Sequence, residues 1–140
     1  MARITLNTEE ANELLGLKDS SVGLGKFRGQ CAALVQYFDF HRTSEWSRGE
    51  RVQSLSSLAQ YTAIASFRKG VTVYENNHAA FFIGKNATGI QVIDQWDGKL
   101  IGERTLRYKS GYNPLSNCGI HFYTIEVDRR IRRSSTAGWK

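Results

Sequence analysis

Apolar residues recur along this chain with two different periods, and the change of period divides it. Leu34, Val35 and Phe38 repeat at the three-and-four spacing of a buried helical stripe, with Cys31 on the same stripe one turn earlier. This predicts an amphipathic helix from Cys31 to about residue 40. A shorter helix is expected over residues 8–15, with Thr8 as its N-cap and early glutamates that suit the helix dipole. Residues 19–29 are rich in Ser and Gly and read as the loop that leads into the second helix. The polar stretch 41–51, built around Trp46, reads as a loop with one helical turn. The segment 58–67 is ambiguous and ends as a strand, because Ala63, Ala65 and Phe67 alternate with Ile64 and Ser66.

Beyond that point the pattern is strand-like. Residues 71–74, 78–83, 90–96, 100–108 and 120–127 carry β-branched and aromatic side chains, and the intervals 75–77, 85–89 and 97–99 carry turn chemistry. Residues 109–119 hold the only proline, Pro114, and read as an exposed loop. Helices followed by a meander of four to six antiparallel strands make an α+β domain. Strands 78–83 and 90–96 should form a hairpin. If its loop runs from 85 to 89, Gly84 faces Ile90 and Asp94 falls opposite Ala80, on the face of His78. A shift of one residue would put Gln95 there instead.

The chain has 140 residues, one domain's worth, and no stretch long and apolar enough to span a bilayer. Its N-terminus lacks a hydrophobic signal core, so a Sec-exported precursor is not expected. The net charge is +6, and Arg129, Arg130, Arg132, Arg133 and Lys140 follow Asp128 with no acid among them. The expected division is therefore a domain over residues 1–128 and a basic tail over 129–140. Such a tail suits an anionic surface such as cell wall. Nucleic-acid binding is disfavoured, because the charge lies in the tail and not on a face laced with aromatics. Cys31 and Cys118 form no CxxC pair, so zinc-finger spacing is absent. Two free thiols are expected, with a Cys31–Cys118 bridge left open.

Cys31 is the candidate nucleophile. A thiol at a helix N-terminus feels the positive end of the dipole and unpaired N–H groups, which favour the thiolate. The competing reading is a small apolar residue packed beside Leu34. A cysteine hydrolase also needs a base and a group to orient it. His78 opens a strand after a polar turn and can face a helix terminus. His41 lies nearly three turns beyond Cys31 and cannot reach it along a straight helix, and His121 reads as structural. Asp94 is the expected orienter, with Gln95 as the alternative. Trp96 could wall the site and line a substrate groove, or simply pack in the core.

Gly29-Gln30-Cys31 opening an apolar helix, His78 starting a strand and an acid or amide near the end of the next strand together resemble the CHAP amidohydrolases and their NlpC-type relatives. A closer resemblance, over residues 25–127, is to a small group of bacterial papain-like proteins of this length. It is carried by the stretches 29–36, 63–67, 78–80 and 89–96. The resemblance implies a papain-like cysteine amidase that cuts peptidoglycan stem peptides, with Cys31, His78 and Asp94 as its catalytic residues and no metal or organic cofactor. Related amidases serve as type VI secretion effectors. That implies an antibacterial protein secreted without a Sec signal, active in the periplasm or cell wall, monomeric, and with an immunity protein as a possible partner. NlpC-type enzymes use an upstream tyrosine near the oxyanion, and no tyrosine precedes Cys31 here. Gln30 is then the candidate to support the oxyanion beside the Cys31 N–H. An acyltransferase or deamidase on the same residues, and a non-catalytic cell-wall or interaction module, remain open as alternatives.

Overall fold

The first helix begins one residue away from its expected cap. In the computed structural model, which describes residues 1–109 and 115–129, Asn7 is the N-cap of α1 (Thr8–Gly16). The Asn7 side chain accepts the Glu10 N–H at 2.8 Å, and the Glu10 carboxylate accepts the Asn7 N–H at 3.0 Å. This reciprocal pair satisfies two N–H groups, which is why Asn7 takes the position expected for Thr8. The second helix, α2 (Cys31–Phe38), ends two residues before the expected limit, because Asp39 is extended at φ −129° and ψ 127°. Its stripe of Leu34, Val35 and Phe38 is buried, with Phe38 edge-on to Phe81 at 5.7 Å. Truncating Leu34 to alanine should cost about 2–5 kcal/mol.

The strands are β1 (Ala2–Arg3), β2 (Ser47–Arg51), β3 (Ala63–Ser66), β4 (Ala79–Lys85), β5 (Gly89–Trp96), β6 (Lys99–Arg107) and β7 (Phe122–Val127). Among the described residues they form one antiparallel sheet of seven strands in the order β1-β7-β3-β4-β5-β6, with β2 also paired to β7. The expected four to six strands fall short, and a plain meander is corrected. Only β3 to β6 run as consecutive neighbours; β7 returns across the sheet to pair with β3, Ile64 facing Thr124.

Three local expectations change as well. β2 lies in the stretch read as a loop; its sequence, Ser-Arg-Gly-Glu-Arg, carries no apolar alternation and is held by backbone pairing to β7. Residues 71–74 are not a strand; Val73 makes one isolated bridge to Ser47 and is 46% exposed, while Tyr74 turns inward. The stretch read as an exposed loop ends in buried Cys118 and Gly119, while Pro114 lies outside the described residues.

Both faces of the sheet are covered. Ala63, Ala65, Phe81 and Ile93 pack under α2, whereas Ile64, Ala80, Phe82, Val92 and Phe122 form a second apolar cluster. A strand buried on both sides shows weak alternation, which explains the ambiguous signal near residue 63.

The hairpin has a tighter loop than expected. Lys85 pairs with Ile90, while Asn86 Oδ1 accepts the N–H groups of Thr88 and Gly89. Gly84 therefore faces Gln91 and not Ile90. A bulge between Phe82 and Gly84 then moves the register, so that Phe81 faces Ile93. Continued one step further, this register sets Asp94 across from Ala80, as expected.

Candidate active site

The site is assembled at the start of α2 by contacts from three other elements. Gly29 has φ +86°, a left-handed conformation that glycine adopts without steric cost, and its N–H bonds the Val22 carbonyl at 2.9 Å. Gln95 fastens the same loop. Its Oε1 accepts the Val22 N–H at 3.1 Å, and its Nε2 donates to the carbonyls of Val22 at 3.1 Å and Gln30 at 2.8 Å. Gln95 is 0% exposed. The alternative register residue thus faces the loop that carries Cys31. Gln30 itself is exposed, and its amide donates to the Lys26 carbonyl at 3.3 Å.

His78 sits just before β4, held by β3. Ser66 Oγ donates to Asn77 Oδ1 at 2.7 Å and accepts the His78 N–H at 3.1 Å. The imidazole packs edge-on against Trp96 and Phe122, with centroids 6.1 and 6.2 Å away. Its Nε2 lies 2.7 Å from Oδ2 of Asp94, which is 0% exposed. The carboxylate only accepts, so Nε2 carries the hydrogen and Nδ1 is left for the thiol.

Cys31 is half-buried, with Sγ 3.7 Å from the Tyr74 hydroxyl and 3.6 Å from the Asn77 carbonyl. Tyr74 is positioned by a tilted contact with Trp46, centroids 5.0 Å apart, and an edge-on contact with Phe67 at 6.2 Å. Burial pushes the thiol pKa up. The hydrogen bond and charge of His78, the Ala79 N–H and the Tyr74 hydroxyl outweigh it, and the thiol ends below its ordinary value. His78 shows the mirror image: burial lowers its pKa, while Asp94 and Cys31 raise it further, above the usual imidazole value. Burial also raises Asp94, but His78 and the Arg104 guanidinium hold it below the ordinary carboxylate range. Tyr74 is pushed far up by burial and by the neighbouring thiolate, so it stays a neutral donor.

Two cations complete the surroundings of Asp94. Arg104 Nε donates to Oδ2 at 2.8 Å and Lys99 Nζ donates to Oδ1 at 3.1 Å. Arg104 Nη1 also donates to Asn117 Oδ1 at 2.9 Å, and both cations lie over the Trp96 ring. Trp96 is partly exposed and lines a cleft of about 360 Å³ with Cys31, His78, Arg104 and Asn117. Tyr74, Lys99, Arg104 and Asn117 escaped the sequence reading. Only Arg104, a charge within an alternating strand beside Asp94's strand, left a usable signal.

The remaining candidates stand apart. His41 bonds Asp39 through Nδ1 at 2.9 Å and the Asp128 carbonyl through Nε2 at 3.1 Å. His121 lies in a turn before β7, where burial and Arg51 lower its pKa. Cys118 is buried, its thiol donating to the Lys109 carbonyl at 2.7 Å, and both cysteines are free. Among the described residues no group of three or more His, Cys, Asp or Glu side chains could hold a metal ion.

The sequence matches the family described as domesticated amidase effector 2 over residues 5–125. It is 34% identical over 136 residues to "Domesticated amidase effector 2" of Ixodes scapularis, covering 90% of this chain and 94% of that protein. It is 40% identical over 70 residues to "Type VI secretion amidase effector 2 protein" of Salmonella typhi, covering 48% of this chain and 53% of that protein. The solved structure of "Type 6 secretion amidase effector 2 (Tae2)" superposes with a TM-score of 0.69 at 28% identity, covering 86% of this chain and 96% of that one.

Proposed function

The chain belongs to the domesticated amidase effector 2 family, and from that premise we propose that it is a papain-like cysteine amidase cutting an amide bond in peptidoglycan stem peptides. The observation that carries this reading is the relay in which Asp94 meets His78 at 2.7 Å while His78 and Tyr74 lower the pKa of the Cys31 thiol.

His78 Nδ1 takes the thiol proton, and the Cys31 thiolate attacks the amide carbonyl carbon. The carbonyl π electrons move to oxygen, giving a tetrahedral oxyanion. The Cys31 N–H opens α2 with no side-chain cap from Gln30 and is free for this oxygen, whereas the Ala33 N–H is taken by the Gln30 carbonyl. The Cys31 N–H is the principal donor; one such donor is worth about 3 kcal/mol. As the oxyanion collapses, the C–N bond breaks, a thioester remains on Sγ, and the imidazolium gives its proton to the departing amine. Water activated by His78 then hydrolyses the thioester and restores the thiol.

In this reading residues 1–128 are the amidase domain of an antibacterial type VI effector. It acts as a monomer on the cell wall, with an immunity protein as its cognate inhibitor. The basic tail attaches it to anionic wall. Of that tail only Arg129 is described, donating to the Arg3 carbonyl at 2.6 Å. Exchanging Arg130, Arg132 and Arg133 for Gln should weaken wall binding at low salt and spare turnover of a soluble peptide.

Acid-quenched mixtures of enzyme and peptide substrate should show an acyl adduct on intact protein, mapped to Cys31. An adduct on Cys118 in place of Cys31 would contradict the thioester route.

A further inference from the structure

Lys99 is a cation that the catalytic steps leave unused. It opens β6, and the pairs Asp94–Gly102 and Trp96–Lys99 are separated by two residues on β5 and three on β6. The extra residue turns Lys99 onto the face of Asp94 and Trp96, where its Nζ lies 4.9 Å from the Trp96 ring centroid. Four acceptors surround that ammonium: the Asp94 carbonyl at 3.0 Å, Asp94 Oδ1 at 3.1 Å, and the carbonyls of Leu100 at 3.1 Å and Gly102 at 3.4 Å. Its three N–H groups are spent on them, so none is left for a ligand. Nor does Lys99 line the cleft that holds Cys31. Its influence on the reaction therefore passes through Asp94.

The two carboxylate oxygens have separate neighbours. Oδ2 meets His78 Nε2 and Arg104 Nε, whereas Oδ1 takes Lys99. Arg104 and His78 hold the carboxylate in place without Lys99, so what the ammonium adds is a charge at the far oxygen. The other titratable or charged groups at the pair are Arg104 on β6 and Cys31 on α2, with the Tyr74 hydroxyl 3.7 Å from its sulfur. The remaining acids of the hairpin, Asp97 and Glu103, are exposed, and Glu103 is bonded to Lys18. A positive charge 3.1 Å from Oδ1 offsets part of the negative charge that stabilises the imidazolium, and it repels the imidazolium itself.

We propose that Lys99 is a positioning residue that acts through Asp94, weakening its hold on the His78 imidazolium so that the proton on Nδ1 passes readily to the departing amine. An imidazolium held too tightly is a poor general acid, because its proton costs more to release. The transfer to the amine rests on the amidase reading; the effect of Lys99 on the imidazole does not.

The test follows the His78 ring by NMR across pH in full-length Cys31→Ala, which removes the coupled thiol. Adding Lys99→Gln or Lys99→Met should move the His78 titration to higher pH, the reverse of Asp94→Asn. Lys99→Arg keeps the charge and should move it less than either. Gln retains hydrogen-bond donors without charge, so a shift in Lys99→Gln identifies charge as the cause, and this variant decides if Lys99→Met fails to fold. A titration that stays put or moves lower in Lys99→Gln would overturn the proposal. With Cys31 present, Lys99→Gln should carry the basic limb of amide cleavage to higher pH and lower kcat by roughly two- to fivefold, leaving KM unchanged. A shifted ring without Cys31-dependent cleavage would leave the hold of Lys99 on the pair standing and sink the amidase reading. An unmoved ring or basic limb beside Cys31-dependent cleavage would sink the proposal and leave that reading intact.

Discussion

Arg104 Nε donates to the same Asp94 oxygen, Oδ2, that meets His78 Nε2. Asp94 thus divides its charge between an imidazole that it orients and a guanidinium that orients it. Arg104 Nη2 also lies 3.2 Å from His78 Nε2, but both are donors there, so the guanidinium is held by its bonds to Asp94 and Asn117 and not by the imidazole. Asp94→Asn should lower kcat on the order of a thousandfold, because an amide neither stabilises the imidazolium nor selects its tautomer. His78→Ala should lose at least as much, and the double variant little more, since members of one catalytic unit are non-additive. Arg104→Lys retains the charge but not the fork, and kcat should fall by about tenfold. Steady-state kinetics on folded variants decides each case.

Gln95 sits one residue away and is expected to behave differently. Gln95→Ala leaves the Val22 N–H without its partner and takes one of two donors from each of the Val22 and Gln30 carbonyls, which keep the N–H groups of Gly29 and Ala33. Buried groups stripped of partners cost about 1–3 kcal/mol, so a loss of that order in denaturant unfolding is expected. The pH dependence of the remaining activity should keep its shape, because Gln95 touches the loop and not the imidazole. A basic limb displaced as in Asp94→Asn would contradict this placement.

The depressed thiol and raised imidazole pKa values define a pH window. Activity should rise with pH as the thiolate–imidazolium pair forms and fall as the imidazolium loses its proton, with both limbs belonging to the pair. Tyr74→Phe removes a hydroxyl that favours the thiolate, so its acid limb should move to higher pH. Asp94→Asn removes a partner that favours the imidazolium, so its basic limb should move to lower pH. Alkylation of Cys31 followed against pH gives the first limb without substrate; an acid limb unmoved in Tyr74→Phe would remove Tyr74 from thiol activation.

Local signals were legible where local forces decide. The stripe of Leu34, Val35 and Phe38 placed Cys31 at a helix start, and the hairpin pattern placed Asp94 on the side of His78. Asp94 keeps its expected side although the loop end of the hairpin pairs one residue differently, because the bulge at Ile83 cancels that shift. Non-local contacts were not legible. Tyr74 reaches Cys31 from a segment that resembles a strand only in composition, and Arg104 reaches Asp94 from the next strand over. β2 was invisible because its backbone pairing to β7, and not its side chains, makes it a strand.

Digestion of purified muropeptides followed by mass analysis tests the central claim most directly, comparing the intact protein with Cys31→Ala. The wild-type protein should convert a stem peptide into two fragments whose masses sum to that of the substrate plus one water. Cys31→Ala, folded and equally stable, should leave it uncut. Fragments produced equally by Cys31→Ala, or no Cys31-dependent change in any muropeptide, would contradict the account and favour a non-catalytic module on this fold.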